Sequence, residues 1–457
     1  MDKIKLLQSR RNEVLAAGNA VRKAIAGLVD EDSFVELAGF SFSKNDFYGE
    51  EAAGEGVVTG FATVEGNPVY VAAQNFDVLS GGVSERNCEK ILKCLDLAEK
   101  NSTPVVYILN SLGVQIGEGV AVLEGFAKLL SKAAKLHGVV PQFAVVNGEV
   151  YGQSALIAAC ADFTFFLKNG VLAADSPLVI SAKSGKNLAK EAVGGAKALD
   201  KTNLVSFEAD SMAQVRETLA KIMDVLPDYS SVVVENGADL NAAFPALNQK
   251  CGANALIAAV FDKDTFVEVG KNCSGEVRCV LGRVGGISVA AEEPVSLNEN
   301  NVAKITAFTE FAAYYNLPFV SFVNAQGIRA DLETQNSLVM KNIFKLFETY
   351  DLLDNAKISV VYGSAIGLGY TLLAAKSAGF DYSYAFADAK IALFDSEKGA
   401  EIEFSGEKKA DKAKLAAKYS EENSDPVNAA KNGYIDNIIE PQYVKQYLVA
   451  SLQMLLK

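Results

Sequence analysis

The chain repeats itself once. The stretch Ile25 to Glu36 is echoed 232 residues later by Ile257 to Glu268. Val69-Tyr70-Val71-Ala72-Ala73 returns as Ile287-Ser288-Val289-Ala290-Ala291 at an offset of 218, and Pro104 to Asn110 returns as Pro318 to Asn324 at 214. Gly113 pairs with Gly327 at 214, and Gly148 and Gly152 pair with Gly363 and Gly367 at 215. The blocks keep their order while the offset drifts, the pattern left by two related domains separated by loop insertions. Any fold for these 457 residues must therefore be one architecture written twice. Around 225–255 the apolar pattern lapses into Pro, Asn, Gly and Ser, which places the boundary near 235.

Each half reads alike. A short apolar strand (104–109; 319–323) is followed by a Gly-containing turn and a helix-like stretch (118–137; 337–354). A second apolar strand (142–146; 358–362) then leads through Gly into a small-residue helix (152–160; 369–378). Helices at 84–99 and 299–315 precede the first strand of each set, with apolar residues such as Ile91, Leu95 and Ala98 at helical spacing. Strands alternating with helices of this length predict parallel units in an α/β fold. Ser405 to Glu422 reads as a solvated helix, and Gln442 to Leu456 as a helix with one apolar face.

Composition narrows the chemistry. The single histidine, His137, cannot furnish a multi-His metal site, so no metal centre is expected, and His137 itself reads as a helix terminus. A net charge of −13 disfavours a broad nucleic-acid or anionic-membrane surface. Six scattered cysteines without a C-x-x-C pair read as structural thiols of a reducing cytoplasm. The N-terminus has no apolar signal core, and Val150 to Leu167, interrupted by Gln153 and Asp162, reads as buried helix and strand.

In both halves glycines stand where a strand hands over to a helix. A helix start leaves backbone N–H groups unsatisfied, and glycine lets a ligand oxygen approach them. Two such donors converging make an oxyanion hole, which stabilises an enolate without any side-chain acid.

The residues at these points resemble a known family. Asn110-Ser111-Leu112-Gly113-Val114-Gln115-Ile116-Gly117-Glu118-Gly119-Val120 is similar to the Asp-Ser-Gly-Gly-Ala-Arg-Ile-Gln-Glu-Gly-Val segment of biotin-dependent acyl-CoA carboxyltransferases. Gly54-Glu55-Gly56-Val57-Val58-Thr59-Gly60, Gln74 to Gly82 and Asp425 to Asp436 also resemble that family, and the likeness spans about 25–441. It implies an α/β fold of two tandem crotonase-like (ClpP/crotonase) domains with β-β-α spiral cores. It further implies an acyl-CoA-binding domain over 1–235, a biotin-side domain over 236–457, and active sites between the protomers of a homo-oligomer. The implied reaction is carboxyl transfer between biotin, on a separate biotin carboxyl carrier protein, and a short-chain coenzyme A thioester. Biotin carboxylase or membrane decarboxylase subunits would be the further partners. The implied place is the cytoplasm, free or peripheral to a membrane complex.

By that resemblance the first oxyanion hole falls at Gly113-Val114 with Gly152-Gln153 opposite, and the second at Gly367-Leu368-Gly369. Gly81, Gly82, Arg86 and Lys90 are the candidates for contact with the CoA moiety; a solvated helix charge is the competing reading for the two cations. Glu118 could be catalytic, or simply an acid placed well at a helix start. Val339-Met340-Lys341 hints at a biotinylated lysine but falls in a helix without a Gly-flanked hairpin. Leu112 and Leu368 stand where the family has glycine, and Gln115 where it has arginine. These departures keep open a catalytically weakened structural or CoA-binding subunit; a stand-alone hydratase or isomerase is a further alternative, which would want positioned carboxylates and would not need the duplication.

Overall fold

Apolar runs without alternation, such as Val105 to Leu109, call for strands covered on both faces. The computed structural model places them so, and it describes residues 2–42, 53–226, 252–273, 275–406 and 411–456. The chain divides into two compact units, Met1–Met223 and Asp224–Lys457. The expected boundary near 235 lies outside the described residues.

The N-terminal unit holds strands β1 (Val35–Leu37), β2 (Val57–Val64), β3 (Asn67–Gln74), β4 (Val105–Ser111), β5 (Gln142–Tyr151), β6 (Phe163–Leu167), β7 (Val171–Ala173) and β8 (Phe207–Ala209). They form one sheet in the order β1-β2-β3-β4-β5-β6-β8, with β7 beside β5. The C-terminal unit repeats the plan with β9 (Val267–Val269), β10 (Val277–Val284), β11 (Ile287–Pro294), β12 (Phe319–Ala325), β13 (Lys357–Ile366), β14 (Tyr382–Phe386), β15 (Lys390–Ala392) and β16 (Asn437–Ile439). Its order is β16-β14-β13-β12-β11-β10-β9, with β15 beside β13. In each sheet the first three strands are antiparallel and the rest run parallel.

Helices Glu85–Asn101 and Val120–Leu136 pack together in the first unit, as do Glu299–Tyr314 and Val339–Leu352 in the second. In the C-terminal unit Val320, Phe322, Ile358, Val360 and Phe386 meet Val444, Leu448 and Leu452 of the helix Val444–Leu455 in one buried cluster. Each fully buried side chain of this kind contributes about 1.5–3 kcal/mol.

Three expectations change in detail. The strands expected to stop at 146 and 362 run on through glycine to Tyr151 and Ile366. Gly148 and Gly363 are not breakers there. A Cβ would stand 2.5 Å from Asn110 Oδ1 and 2.3 Å from Asn324 Oδ1, so each glycine admits an asparagine folded against the neighbouring strand. The helix expected over 369–378 is Leu368–Leu373, because Ala374 leaves helical geometry at φ −137°. The solvated helix expected over 405–422 is Lys412–Asn423, with 407–410 outside the described residues.

The register of the repeat also shifts. Tyr70 pairs with Val105, and Ala290 pairs with Phe319. The structural offset of β3 and β11 is therefore 220, two residues from the 218 of the sequence match. A slip of two keeps every side chain on its face, so the apolar pattern alone could not reveal it.

Candidate active site

Ser111 lies opposite Val150, so the chain leaving β4 passes beside the end of β5. There Gly113, at φ 129°, turns the backbone toward Val83. Val83 N–H donates to Gly113 O at 2.9 Å, and Gln115 N–H donates to Val83 O at 2.8 Å. In such a bridge the intervening residue faces the other way, and Val114 N–H has no backbone partner. Gly113's own N–H turns back onto Ser111 Oγ at 3.2 Å.

The helix Gln153–Cys160 begins immediately after β5. Gly152 adopts φ 64°, ψ −135°, a conformation that side-chain-bearing residues rarely enter. Its N–H donates to Ala173 O at 3.2 Å on β7, so the junction's open donor is the N–H of Gln153, first residue of the helix.

The C-terminal unit builds the same device. Leu297 bridges Ile328 as Val83 bridges Val114, with Leu297 N–H on Gly327 O at 3.0 Å and Arg329 N–H on Leu297 O at 2.9 Å. Gly367, at φ 53° and ψ −121°, donates its N–H to Ala392 O at 2.9 Å. The N–H groups of Leu368 and Gly369 follow without backbone partners. A Cβ on Gly327 would lie 3.0 Å from Ile366 O and 3.9 Å from Gly369 N, so the two segments touch. Ile328 was not among the residues singled out from sequence. Its signal was present, because it follows Gly327 at the offset that relates Val114 to it.

A cavity of about 580 Å³ opens at this second junction, lined by Gly367, Leu368, Thr371, Leu393, Asn428 and Tyr434 among others. Leu368 is 38 % exposed and leaves that volume open. Leu112, at the first junction, is 47 % exposed. Another cavity of the N-terminal unit, about 420 Å³, touches Lys168, Glu191, Lys197 and Gln214 and none of the expected site residues.

Other candidates have structural employment. Lys90 is not solvated: it is buried and donates to Gly54 O at 2.7 Å and Val57 O at 2.5 Å. Burial pulls its ammonium down to about 8, against the raising influence of Glu36 and Glu55. Lys304, at the same place in the second repeat, donates to Gly270 O, Cys273 O and Val277 O at 2.8, 2.9 and 2.7 Å. Arg86 pairs with Glu89 at 2.5 Å on the helix surface. Gly81 allows close approach, since a Cβ would stand 2.1 Å from Asn110 O, and at Gly82 it would stand 2.9 Å from Leu79 O. Glu118 precedes its own helix and accepts the Glu85 N–H at 2.7 Å, capping the neighbouring helix instead. His137 is the C-cap of the helix Val120–Leu136, its Nδ1 3.5 Å from Asp162 Oδ1. Burial pushes the thiols of Cys88 and Cys279 up to about 12 and that of Cys94 to about 11. Cys251 lies outside the described residues.

Chemically, each unit presents backbone N–H donors, held by their neighbours' hydrogen bonds, at the meeting of a strand end and a helix start. Comparison with known proteins gives this geometry its context. A carboxyl transferase domain model matches residues 14–457. The chain belongs to the carboxyl transferase family. Methylmalonyl-CoA decarboxylase subunit alpha of Veillonella parvula is 30 % identical, over 99 % of this chain and 96 % of that protein. The propionyl-CoA carboxylase beta chain of Saccharopolyspora erythraea is 28 % identical, over 95 % and 87 %. The crystal structure of transcarboxylase 12S, a hexamer with methylmalonyl-coenzyme A and methylmalonic acid bound, superposes with a TM-score of 0.92 at 24 % identity, covering 99 % of this chain and 95 % of that one. The carboxyl transferase fold is thus present in both repeats. Among the described residues no helix is long and apolar enough to cross a membrane.

Proposed function

We propose that this chain transfers a carboxyl group between biotin on a separate carrier protein and a short-chain acyl-CoA. The observation that carries the reading is the pair of matched junctions, each leaving backbone N–H groups without backbone partners where a strand end meets a helix start. In the N-terminal unit, Val114 and Gln153 donate to the thioester oxygen as the α-carbon gains or loses its carboxyl group and the oxygen becomes enolate-like. Each such donor contributes about 2.7–4 kcal/mol to the transition state. In the C-terminal unit, Leu368 and Gly369, with Ile328 alongside, serve the biotin side. The cavity there fits a small fused-ring urea: Leu368 and Leu393 offer apolar wall, and backbone N–H groups can bind a urea oxygen. Biotin, when bound, supplies the transferable carboxyl group and a ureido nitrogen able to exchange the α-carbon proton. No histidine is needed for either task.

Of the expected CoA contacts, Arg86 retains a partly exposed charge, whereas Lys90 is committed to the fold. Carrier protein, homo-oligomer and a carboxylase or membrane-decarboxylase partner complete the proposal. The chain works in the cytoplasm or docked on such a complex. The weakened-subunit alternative loses ground because Leu368 leaves the second junction's cavity open.

The test mixes purified protein with malonyl-, methylmalonyl- or glutaconyl-CoA, with and without a biotinylated carrier, and follows loss of the carboxylated thioester and release of CO₂. Biotin-dependent turnover of at least one thioester is expected. CoA binding without turnover would overturn the proposal in favour of a structural subunit, and hydration of an enoyl-CoA would overturn it in favour of a hydratase.

A further inference from the structure

The helix Lys3–Ala16 of the N-terminal unit is thinly supported by its own unit. Of its 14 residues only Val14 is buried, whereas Ile4, Leu7 and Leu15 are exposed. A lone helix of this length is marginal in water, and most helical stability in proteins comes from packing an apolar face. Leu7, Arg11 and Leu15 stand four residues apart and Ile4 three before Leu7, so the four side chains form one ridge along the helix. Arg11 is thus an exposed cation in the middle of an apolar ridge. A helix lying on lipid keeps its cations off the apolar face. This ridge calls instead for a protein surface that is apolar and carries a carboxylate near its centre.

The chain offers such a surface in its other unit. The helix Val339–Leu352, also of 14 residues, exposes Met340, Phe344 and Leu352 at 71, 65 and 64 %. They belong to a ridge of residues four apart whose remaining member is Glu348, with Asp351 beside it. Single exposed apolar residues are ordinary, but large ones in a row mark an interaction site. The two ridges match in parallel register: Ile4 against Met340 at an offset of 336, then Leu7 against Phe344, Arg11 against Glu348 and Leu15 against Leu352, all at 337. The reversed alignment sets Arg11 on Phe344 and Glu348 on Leu7, leaving both charges against apolar groups. The ion pairs of these helices are Arg10–Glu13 and Lys345–Glu310, so Arg11 and Glu348 have none among the described residues. The apolar residues beside the first junction, Ile116, Val120 and Leu123, span a shorter stretch, and the neighbouring acid Glu124 is already paired with Lys128 at 3.7 Å.

We propose that the helix Lys3–Ala16 of one copy docks along the helix Val339–Leu352 of a second copy, with Arg11 on Glu348. A contact between two different patches recurs in every copy, so each subunit gives one helix and receives another. This contact builds on the homo-oligomer of the proposed function, and carboxyl transfer plays no part in it.

The experiment places the photoreactive residue p-benzoylphenylalanine at position 7 of the full-length protein. After irradiation, covalent dimers are read on a denaturing gel and their linked peptides by mass spectrometry. Dimers joined between position 7 and residues 340–352 are expected. Arg11→Glu should cut their yield about tenfold by opposing Glu348, and adding Glu348→Arg should restore it. A monomer by light scattering would overturn this contact together with the homo-oligomer. An oligomer without these dimers, or a yield indifferent to Arg11→Glu, would overturn the contact alone. Crosslinks to lipid in the presence of phosphatidylserine–phosphatidylcholine vesicles would overturn it in favour of a membrane-lying helix.

Discussion

The two repeats share a backbone plan and differ in what they bury. In the N-terminal unit the centre of β3 carries Ala72 and Ala73, and β5 starts with Gln142, whose Oε1 accepts from Tyr107 at 2.9 Å. In the C-terminal unit the same register positions hold Glu292, Glu293 and Lys357. Ser321 replaces Tyr107, and the phenol comes instead from the helix: Tyr350 donates to Glu292 Oε1 at 2.9 Å, beside Ser321 Oγ at 3.0 Å. Near the start of the second long strand the contrast reverses, since Arg329 pairs with Glu276 whereas Gln115, at the position of Arg329, donates to Gly82 O at 3.2 Å. Duplication has therefore preserved the main-chain devices and let the polar interior drift. That is the expected result if selection acts chiefly on backbone N–H groups, which side-chain substitution leaves in place.

The comparison can be broken most sharply at the glycines. Gly152→Ala and Gly367→Ala force a side chain into positive φ, a strain of about 1–3 kcal/mol that rotates the following donor. Each should lower carboxyl transfer by about 10²–10³-fold. Steady-state assays varying thioester and biotin separately should assign the first defect to the thioester and the second to biotin. The same defect from both variants would show that the halves do not divide the work.

A pH experiment sharpens the contrast in the cores. Burial raises the Glu292 carboxyl to about 7, despite the hydrogen bonds from Tyr350 and Ser321. The native state then holds this proton where the unfolded chain releases it, so stability falls as pH rises from about 4.5 to about 7 and stays reduced above. The loss is on the order of 3 kcal/mol. Glu292→Gln should flatten that slope, leaving stability at pH 5 nearly unchanged and raising it at pH 8, as read from denaturant melts across the range. Ala72, at the matching position of the first unit, has no titrating group and makes no such contribution.

The buried lysines offer a smaller difference. Lys304→Met orphans three carbonyls and Lys90→Met two, so the former should cost about 1 kcal/mol more, seen as a Tm lower by about 2–4 °C. Smallest of all, Leu368→Gly should enlarge the second cavity and alter the KM for biotin by a few fold, leaving the KM for the thioester unchanged. Leu112→Gly should do the converse.

Much of this organisation is legible in the residues. The ordered echoes disclose the duplication, and the unbroken apolar runs at 105–109 and 319–323 disclose buried parallel strands. The registers were less accessible, because a period of two makes a match at 218 look as good as the true 220. Gly148 and Gly363 read as stops, since nothing local shows that Asn110 and Asn324 lie against them. Lys90 reads as a CoA contact or a solvated charge, although the recurrence of lysine at 304, an offset of 214, carries the signal of a shared structural duty. The hydrogen bond from Gln115 to Gly82 joins residues 33 positions apart and is visible only once the chain is folded.

Carrying both junctions on one chain has a genetic consequence. In an enzyme assembled from identical single-domain subunits, any codon change at a junction alters every copy at once, and a gain on one side is inherited by the other. Here Gln115 can differ from Arg329, and Glu118 from Leu332, with no counterpart change imposed. Under the proposed division of labour, selection for a new thioester can therefore proceed in the first copy while the second keeps its fit to an unchanging prosthetic group.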